Sequence, residues 1–507
     1  MGAEAVLHQP VSLLLVPFPA QGHVTPMLHL ARALAAHGGG GGVAATVAVP
    51  DFIHRRIVAS DDGVALACIP SGVAEDGGGG GDPPAFATIA HAMEHHMPAQ
   101  LERVLLARRR PRFACVIVDV LASWAVPVAE RCGVPVAGFW PAMLACYRVV
   151  AAIPELIKKG LISESGTPIS SNEQDEEEDL VIRGLEILPE QVELRTKDLP
   201  WLVGDKATQA SRFAFWLQTL RRARSFRWVL VNSFHGEDDD NGRADDDVHR
   251  KQPAKQSPRV LLVRPALLVP GNNVAERTKP QQQQPCSSGK SNSPSMWRAD
   301  ASCIGWLDAQ RAGSVVYVSF GSWVGPIGPD KVRELALGLE ASGRPFLWAL
   351  KRDAAWRSGL PDGFAEREKG RGKVVDWAPQ EDVLRHPAVG CYLTHCGWNS
   401  TVEAIQHGVR LLCCPVAGDQ FINCAYITGL WGIGRKLHSV SRDHVKAGIE
   451  RVMDGEEGTR LQENVTALRE KVVTAEARCT AEKNVTSFVD EIKREQPLIM
   501  QMYNASL

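Results

Sequence analysis

Residues 392–408 read YLTHCGWNSTVEAIQHG, and the reading of that stretch decides the fold. The apolar run Val389–Thr394 reads as a buried strand, and the residues after Gly397 read as a short amphipathic helix ending at Gly408. His395, Cys396 and Gly397 make the turn between them. Asn399 or Ser400 can cap the helix, with Glu403 closing an S-x-x-E capping box. A strand end, a glycine that lets a ligand approach the backbone, and the unpaired N–H groups of a helix N-terminus together form an anion site that suits a diphosphate. His395 can add a donor to it.

Working outward, the same rhythm recurs. VSLLLVPF (11–18) leads to TPMLHLARALAAHG (25–38), ATVAVP (45–50) follows, and FACVIVDV (113–120) leads to ASWAVPVAERCG (122–133) and VPVAGFW (134–140). It restarts with SVVYVSF (314–320), DKVRELALGLEASG (330–343), PFLWAL (345–350), GKVVDW (372–377) and VRLLCCP (409–415). Apolar strands separated by helical patterns predict an α/β chain of two Rossmann-like domains with parallel sheets, facing one another across a cleft. Residues 236–258, charged and poor in large apolar groups, and 270–295, with KPQQQQPCSSGKSNSPS, are expected to be linker and surface loop. The acidic segment 171–180 and the glycine runs 38–42 and 77–81 are expected to be solvated connections, and no solenoid repeat is evident.

The chain has 507 residues, 45 % of them apolar, and a formal net charge of −2. That suits two or three domains with substantial cores, and the scattered basic residues give no electrostatic footprint for nucleic acid or an anionic membrane. Twelve cysteines are widely spread, and MGAEAVLHQPVSLLLVPF lacks the basic start and cleavage pattern of a signal peptide. Free thiols in a reducing, cytoplasmic setting are the expectation. Val6 breaks the myristoylation pattern, and no apolar run reaches the roughly 18 residues of a membrane span, so no stable membrane insertion is expected. The sequons at Asn399, Asn464, Asn484 and Asn504 then read as chance matches.

Three other motifs have plainer readings. GKS at 289–291 has Gln284 where a phosphate-binding loop needs glycine, and no G-x-G-x-x-G closes the first strand. His91, Glu94 and His95 match the H-x-x-E-H pattern of one group of zinc proteases, but no third carboxylate ligand is identifiable; the polar face of one helix over FATIAHAMEHHMPAQLERVLLARR is the plainer reading. Cys391, His395 and Cys396 lack a second pair at structural-zinc spacing and read as strand and turn residues.

The wider run 377–420 adds Trp377, whose flat face suits a base, and Asp419 and Gln420, whose acceptors and donors suit sugar hydroxyls. W-A-P-Q, H-C-G-W-N-S, the Glu three residues after that Ser, and the closing D-Q stand in one register. Together they closely resemble the signature of plant secondary-product glycosyltransferases, the UDP-sugar-dependent enzymes of glycosyltransferase family 1 with the GT-B fold. VPFPAQGHVTPMLHLARAL (16–34), VIVDVLASWAVPVAERCGVPVAGFW (116–140), VLVNSFHGED (229–238), WLDAQRAGSVVYVSFGS (306–322) and FLWAL (346–350) extend the resemblance over nearly the whole chain.

The resemblance implies roles. Trp377 would stack on uracil, Gln380 would bond the ribose and Glu403 its hydroxyls. His395, Trp398, Asn399, Ser400, Gly321 and Ser322 would hold the diphosphate, with Gly397 and Ala378 in the same donor-binding set. Asp419 and Gln420 would grip the sugar, and a glutamine at 420 favours glucose. The implied organisation is an acceptor-binding domain over 1–257, a donor domain over 258–480, and a tail over 481–507 whose helix packs back on the first domain.

His23 lies in FPAQGHVTP (18–26), in the loop between the first strand and its helix, where it would face the cleft. An imidazole with an ordinary pKa of about 6.5 can take a proton from an alcohol or phenol near neutral pH. By resemblance His23 is the general base and Asp119 its carboxylate partner. Attack opposite the leaving UDP would invert the anomeric carbon and give a β-glycoside, and the helix N-terminus with His395 would meet the leaving charge, so no metal or other cofactor is expected. Two positions depart from the family pattern: Arg410 stands where many relatives have proline, which touches loop rigidity, and Pro141 stands where several carry a hydroxyl residue near the sugar's 6-position. Phe18, Phe139, Trp140, Met143 and Trp201 are the expected walls of a cleft for a small hydrophobic acceptor, such as a phenolic, flavonoid, terpenoid or hormone-like molecule. A monomer is expected. The alternatives are a non-catalytic sugar-nucleotide-binding protein, against which His23 and Asp119 argue, and the zinc protease.

Overall fold

The computed structural model describes residues 10–36, 42–57, 63–73, 84, 86–107, 113–169, 181–182, 187–238, 258–264, 299–322 and 324–504. They form two parallel sheets. The first runs β3 (Ala65–Ile69), β2 (Val43–Pro50), β1 (Val11–Val16), β4 (Phe113–Asp119), β5 (Val136–Trp140), β6 (Trp228–Val231), β7 (Arg259–Leu262). The second runs β10 (Gly372–Val375), β9 (Phe346–Ala349), β8 (Val315–Ser319), β11 (Val389–Thr394), β12 (Arg410–Cys413), β13 (Gly434–Lys436). This is the two-sheet α/β architecture expected from the apolar runs.

The continuous apolar runs follow from burial on both faces. Every residue of β1 and β4 is buried, and successive side chains go to opposite sides. Leu14, Val16, Val116 and Val118 enter the larger core, while Leu13, Leu15, Cys115 and Ile117 enter a second core closed by Val485, Phe488, Val489 and Ile492. Those last four lie on the C-terminal helix Ala475–Asn504, which is tied to the first sheet by Asn484 Nδ2 to the Leu262 carbonyl (2.8 Å) and Trp228 Nε1 to Glu491 Oε2 (2.7 Å).

The strand orders place a topological switch between β1 and β4 and another between β8 and β11. At such a point the crossovers leave on opposite sides, and a crevice opens beyond the carboxyl ends of the strands. His23 follows β1 and Asp119 ends β4; Gly321 follows β8 and His395 follows β11.

Local expectations fared unevenly. Residues 86–107 form two helices, Phe86–His95 and Met97–Ala107, because Pro98 lacks the N–H and disfavours helical backbone before it. The charged stretch from 236 begins inside the fold, since Glu237 is 3 % exposed. The acidic segment 171–180, the polar loop 270–295 with GKS, and the runs 38–41 and 77–81 lie outside the described residues. No described helix is long and apolar enough to cross a membrane.

Candidate active site

His23 Nδ1 lies 2.8 Å from Asp119 Oδ2, with Asp119 fully buried and the His23 side chain 22 % exposed. The other carboxylate oxygen accepts the Leu121 N–H at 3.0 Å, which fixes the carboxyl plane. An ionised Asp119 accepts from Nδ1–H, which leaves the lone pair on Nε2. The Phe18 ring packs 5.1 Å from the imidazole and limits its rotation.

The second crevice is built around His395, which is 7 % exposed. A Cβ on Gly321 would come within 2.7 Å of its ring, and one on Gly397 within 2.4 Å of Nε2, so two glycines make the slot in which the ring sits. Burial depresses its pKa to about 4, so near neutral pH it is an uncharged hydrogen-bonding group. Its Nδ1 is buried without a hydrogen-bond partner, the condition of an atom that a ligand can satisfy.

The helix Trp398–His407 starts from Gly397 with no side-chain cap. This corrects the capping box. Ser400 lies inside the first turn, where its Oγ accepts from Gln380 at 2.9 Å, and Glu403 Oε2 accepts from the same amide at 2.8 Å. An uncapped N-terminus keeps its N–H groups and positive dipole end available to an anion.

Gln380 is committed on both sides. Its Oε1 accepts from Tyr392 (3.0 Å) and Tyr317 (3.3 Å), so all its hydrogen-bonding capacity goes to holding Ser400 and Glu403 in place. Burial raises the Glu403 carboxyl from 4.5 to about 7, opposed by the Gln380 bond and by Arg264. A carboxyl raised in the fold adds stability below about pH 4.5 that is lost as pH climbs through about 7. Hydroxyls donated by a ligand to the ionised carboxylate act the other way. UDP affinity is therefore expected to rise several-fold between about pH 6 and pH 8, and Glu403→Gln to flatten that rise. Calorimetric titrations at the two pH values check this; a flat wild-type profile contradicts it.

The side chains of Trp398 and Asn399 join the two halves. Trp398 Nε1 donates to the Asn232 carbonyl at 2.6 Å, and its ring stacks on Phe234 at 6.1 Å and 11°. Asn399 Nδ2 donates to the Gly22 carbonyl at 2.8 Å, one residue from His23, while its Oδ1 accepts from Asn232 Nδ2 at 3.3 Å. The Trp398 ring is then spent, while the backbone N–H groups of the pair and the second Nδ2 hydrogen of Asn399 are left for an anion. Trp398→Phe removes one buried bond and strands a carbonyl, with an expected cost of about 1–3 kcal/mol in chemical denaturation; an unchanged midpoint contradicts that assignment.

A second joint was not legible in the sequence. Glu237 accepts the Leu144 and Ala145 N–H groups at 3.1 and 2.8 Å, at the start of the helix Leu144–Ala151. Asp238 pairs with Arg148 and accepts from Tyr426 Oη at 2.8 Å. Of these contacts the Tyr426 bond crosses to the other half, from a VNSFHGED segment whose charges suggested only solvent.

In the turn after β12, burial raises the Asp419 carboxyl, and the nearby Asn423 bond (2.9 Å) and His23 oppose the rise. Gln420 Oε1 accepts the Val416 and Ala417 N–H groups at 2.8 and 2.9 Å, which leaves its –NH2 as the end for a ligand. Ala378 is buried at 3 % and Trp377 half-buried beside it. Arg410 departs from proline without loosening the turn: its guanidinium donates to the Gly390 carbonyl at 3.1 Å and the Gly458 carbonyl at 3.2 Å. Pro141 is buried and lends its carbonyl to Asn232 Nδ2 at 3.0 Å.

The expected acceptor walls need correction. Phe139, Trp140, Met143 and Trp201 are 0–2 % exposed and belong to the core. Strand alternation sends Phe139 to the far face, into the cluster with Phe488. Trp140 donates to the Met143 carbonyl (2.9 Å) and Trp201 to the Gly166 carbonyl (2.7 Å). Phe18, itself buried, is the one member against His23. Half-buried rings continue from it instead: Phe86 at 6.3 Å, then Phe215 at 5.5 Å from Phe86, then Trp216 at 6.2 Å from Phe215. The aromatic run FAFW at 213–216 was the available signal. The zinc reading also falls, because Glu94 is bonded to Arg222 at 2.7 and 2.8 Å and the motif makes no three-ligand cluster among the described residues.

A family model described as UDP-glucoronosyl and UDP-glucosyl transferase matches residues 298–470, which contain the His395 crevice and Asp419. UDP-glycosyltransferase 82A1 of Arabidopsis thaliana is 44 % identical over 498 residues, 96 % of this chain and 99 % of that one. DIMBOA UDP-glucosyltransferase BX9 of Zea mays is 34 % identical over 458 residues, 89 % of this chain and 88 % of the other. The crystal structure of a UDP-glucose:anthocyanidin 3-O-glucosyltransferase in complex with UDP superposes with a TM-score of 0.74 at 25 % identity, over 96 % of this chain and 100 % of that one. Likeness sustained over both halves and over nearly the full length of these chains places this one among them: it belongs to the UDP-glycosyltransferase family, has the GT-B fold, and transfers a sugar from a UDP-sugar donor.

Proposed function

We propose that the sugar is glucose and that it passes, with inversion, to a hydroxyl of a small hydrophobic acceptor, with His23 as general base. The observation that carries this is the His23–Asp119 pair at 2.8 Å, at the switch point of one sheet and joined through Gly22 and Asn399 to the anion crevice of the other. The acceptor O–H proton goes to His23 Nε2 while the oxygen bonds to the anomeric carbon. The bond from that carbon to the diphosphate oxygen breaks on the opposite side, and the electron pair leaves with UDP. Asp119 holds the tautomer and stabilises the imidazolium as it forms.

On this reading Trp377 stacks on uracil, Glu403 takes ribose hydroxyls, and Asp419 with the Gln420 amide holds the sugar. The diphosphate meets the Trp398–His407 N-terminus, His395 and the turn at Gly321 and Ser322, donors sufficient without a metal ion. The acceptor half runs past the expected bound of 257, because β7 (Arg259–Leu262) pairs with β6 in the first sheet; the donor half follows it, and the returning tail is the helix Ala475–Asn504, which begins before residue 481. The relative named for UDP-glucose and an anthocyanidin 3-hydroxyl supports glucose and an aromatic hydroxyl as first candidates, and the Phe86–Phe215–Trp216 rings suit a flat acceptor.

A UDP-release assay with several UDP-sugars against phenolic and terpenoid alcohols, with product masses, tests this. Acceptor-dependent release with a hexose gain, best with UDP-glucose, is expected. Preference for another UDP-sugar overturns glucose, and tight UDP binding without turnover on any acceptor favours the binding-only alternative.

A further inference from the structure

Among the described residues one cluster of ligating groups has no part in the reaction above: the thiols of Cys396, Cys413 and Cys424, whose Sγ atoms all lie within 4.8 Å of one another. Three elements deliver them, the turn after β11, the end of β12 and the helix Gln420–Ala425. All three are at most 1 % exposed. Cys396 is the one described non-glycine residue with left-handed backbone, at φ +65°. Its N–H is held by Thr394 Oγ1 at 3.1 Å and its carbonyl by Asn423 Nδ2 at 2.9 Å, so the turn that aims its thiol inward is pinned on both sides.

We propose that this trio is a three-coordinate site for a soft thiophilic ion, and that trivalent arsenic is the class it takes. Sulfur ligands select soft ions. A metal cation of charge one or two held by three thiolates would leave net negative charge in the core, which is costly. Arsenous acid avoids that cost. It enters as neutral As(OH)3; three As–O bonds break, three As–S bonds form, and each thiol proton departs on a released hydroxyl as water. No electron changes hands and the product is neutral. Asn423 links the trio to function, because the amide that holds Cys396 also donates to Asp419 Oδ2 at 2.9 Å. Locking the thiols therefore slows transfer, a consequence that rests on the sugar-holding role proposed for Asp419.

The test is incubation of the reduced full-length protein with arsenite, gel filtration, intact-mass measurement and thiol titration in denaturant. One arsenic per chain and three fewer titratable thiols are expected, with retention at least tenfold lower in both Cys413→Ala and Cys424→Ala, and unchanged in Cys391→Ala. Circular dichroism shows which variants have folded; two separate positions guard against the loss of one. Failure of the wild type to retain arsenic, loss of a different number of thiols, or equal retention in the folded variants overturns the site. Turnover is expected to fall on loading and return with a small dithiol. Mass and thiol count decide the site even if no acceptor is found, so its failure and that of the proposed reaction are separable.

Discussion

Replacing His23 with alanine is expected to slow sugar transfer by about 10²- to 10⁴-fold while UDP affinity stays within about twofold. The two effects separate because His23 belongs to the first sheet's switch point, whereas the anion crevice is built from β8, β11 and the helix after them. Without the imidazole, the acceptor hydroxyl must attack while still protonated or give its proton to water. The diphosphate donors are untouched. Asp119→Asn should fall in the same direction, because an amide can turn its –NH2 toward Nδ1 and favour the tautomer that blocks Nε2 as a base. Single-turnover rates with saturating donor, set beside UDP titrations, check both; retained turnover in His23→Ala means that the base is another group.

Gly397→Ala is expected to do the converse, weakening UDP by at least about tenfold, or about 1.4 kcal/mol. Its φ of −63° is open to any residue, so the penalty is steric. The added Cβ would lie 2.4 Å from His395 Nε2, and the turn at Gly321 encloses that same Nε2–Cε1 end, where a Cβ would come within 2.7 Å, so the ring has little room to give way. The main chain is also held, since the Gly397 carbonyl accepts the Thr401 N–H at 2.9 Å and the Cys396 carbonyl is held by Asn423. Either His395 or the helix N-terminus must move, and both belong to the same anion site. Unchanged UDP affinity in a folded Gly397→Ala protein removes His395 from the donor site.

These expectations also show what a sequence can disclose. The strands were legible because parallel strands covered on both faces must be apolar throughout, as β1 and β11 are. The crevice was legible because strand, glycine turn and helix are contiguous, so local spacing carries it. What failed depended on contacts between distant parts of the chain. The 400 and 403 side chains look like caps until Gln380, held by Tyr317 and Tyr392, draws them aside. Glu237 and Asp238 look like solvated charges until Leu144, Ala145, Arg148 and Tyr426 arrive from other elements. Phe139 and Trp201 look like cleft walls because an aromatic residue carries no mark of which face its strand or turn will present. The three thiols, spaced 17 and 11 residues apart along the chain, fit no metal-ligand spacing and meet only through the fold of β11, β12 and the following helix.

The proposed reaction is a single in-line displacement, with the base on one face of the anomeric carbon and the diphosphate site on the other. The anomeric configuration of the first product formed from an α-linked UDP-glucose, read by proton NMR before any equilibration, tests that geometry directly. A β-glucoside as the sole initial product is predicted. An α-glucoside would require two displacements or attack from the leaving-group face, and would contradict the assignment of His23 as the base opposite the departing UDP.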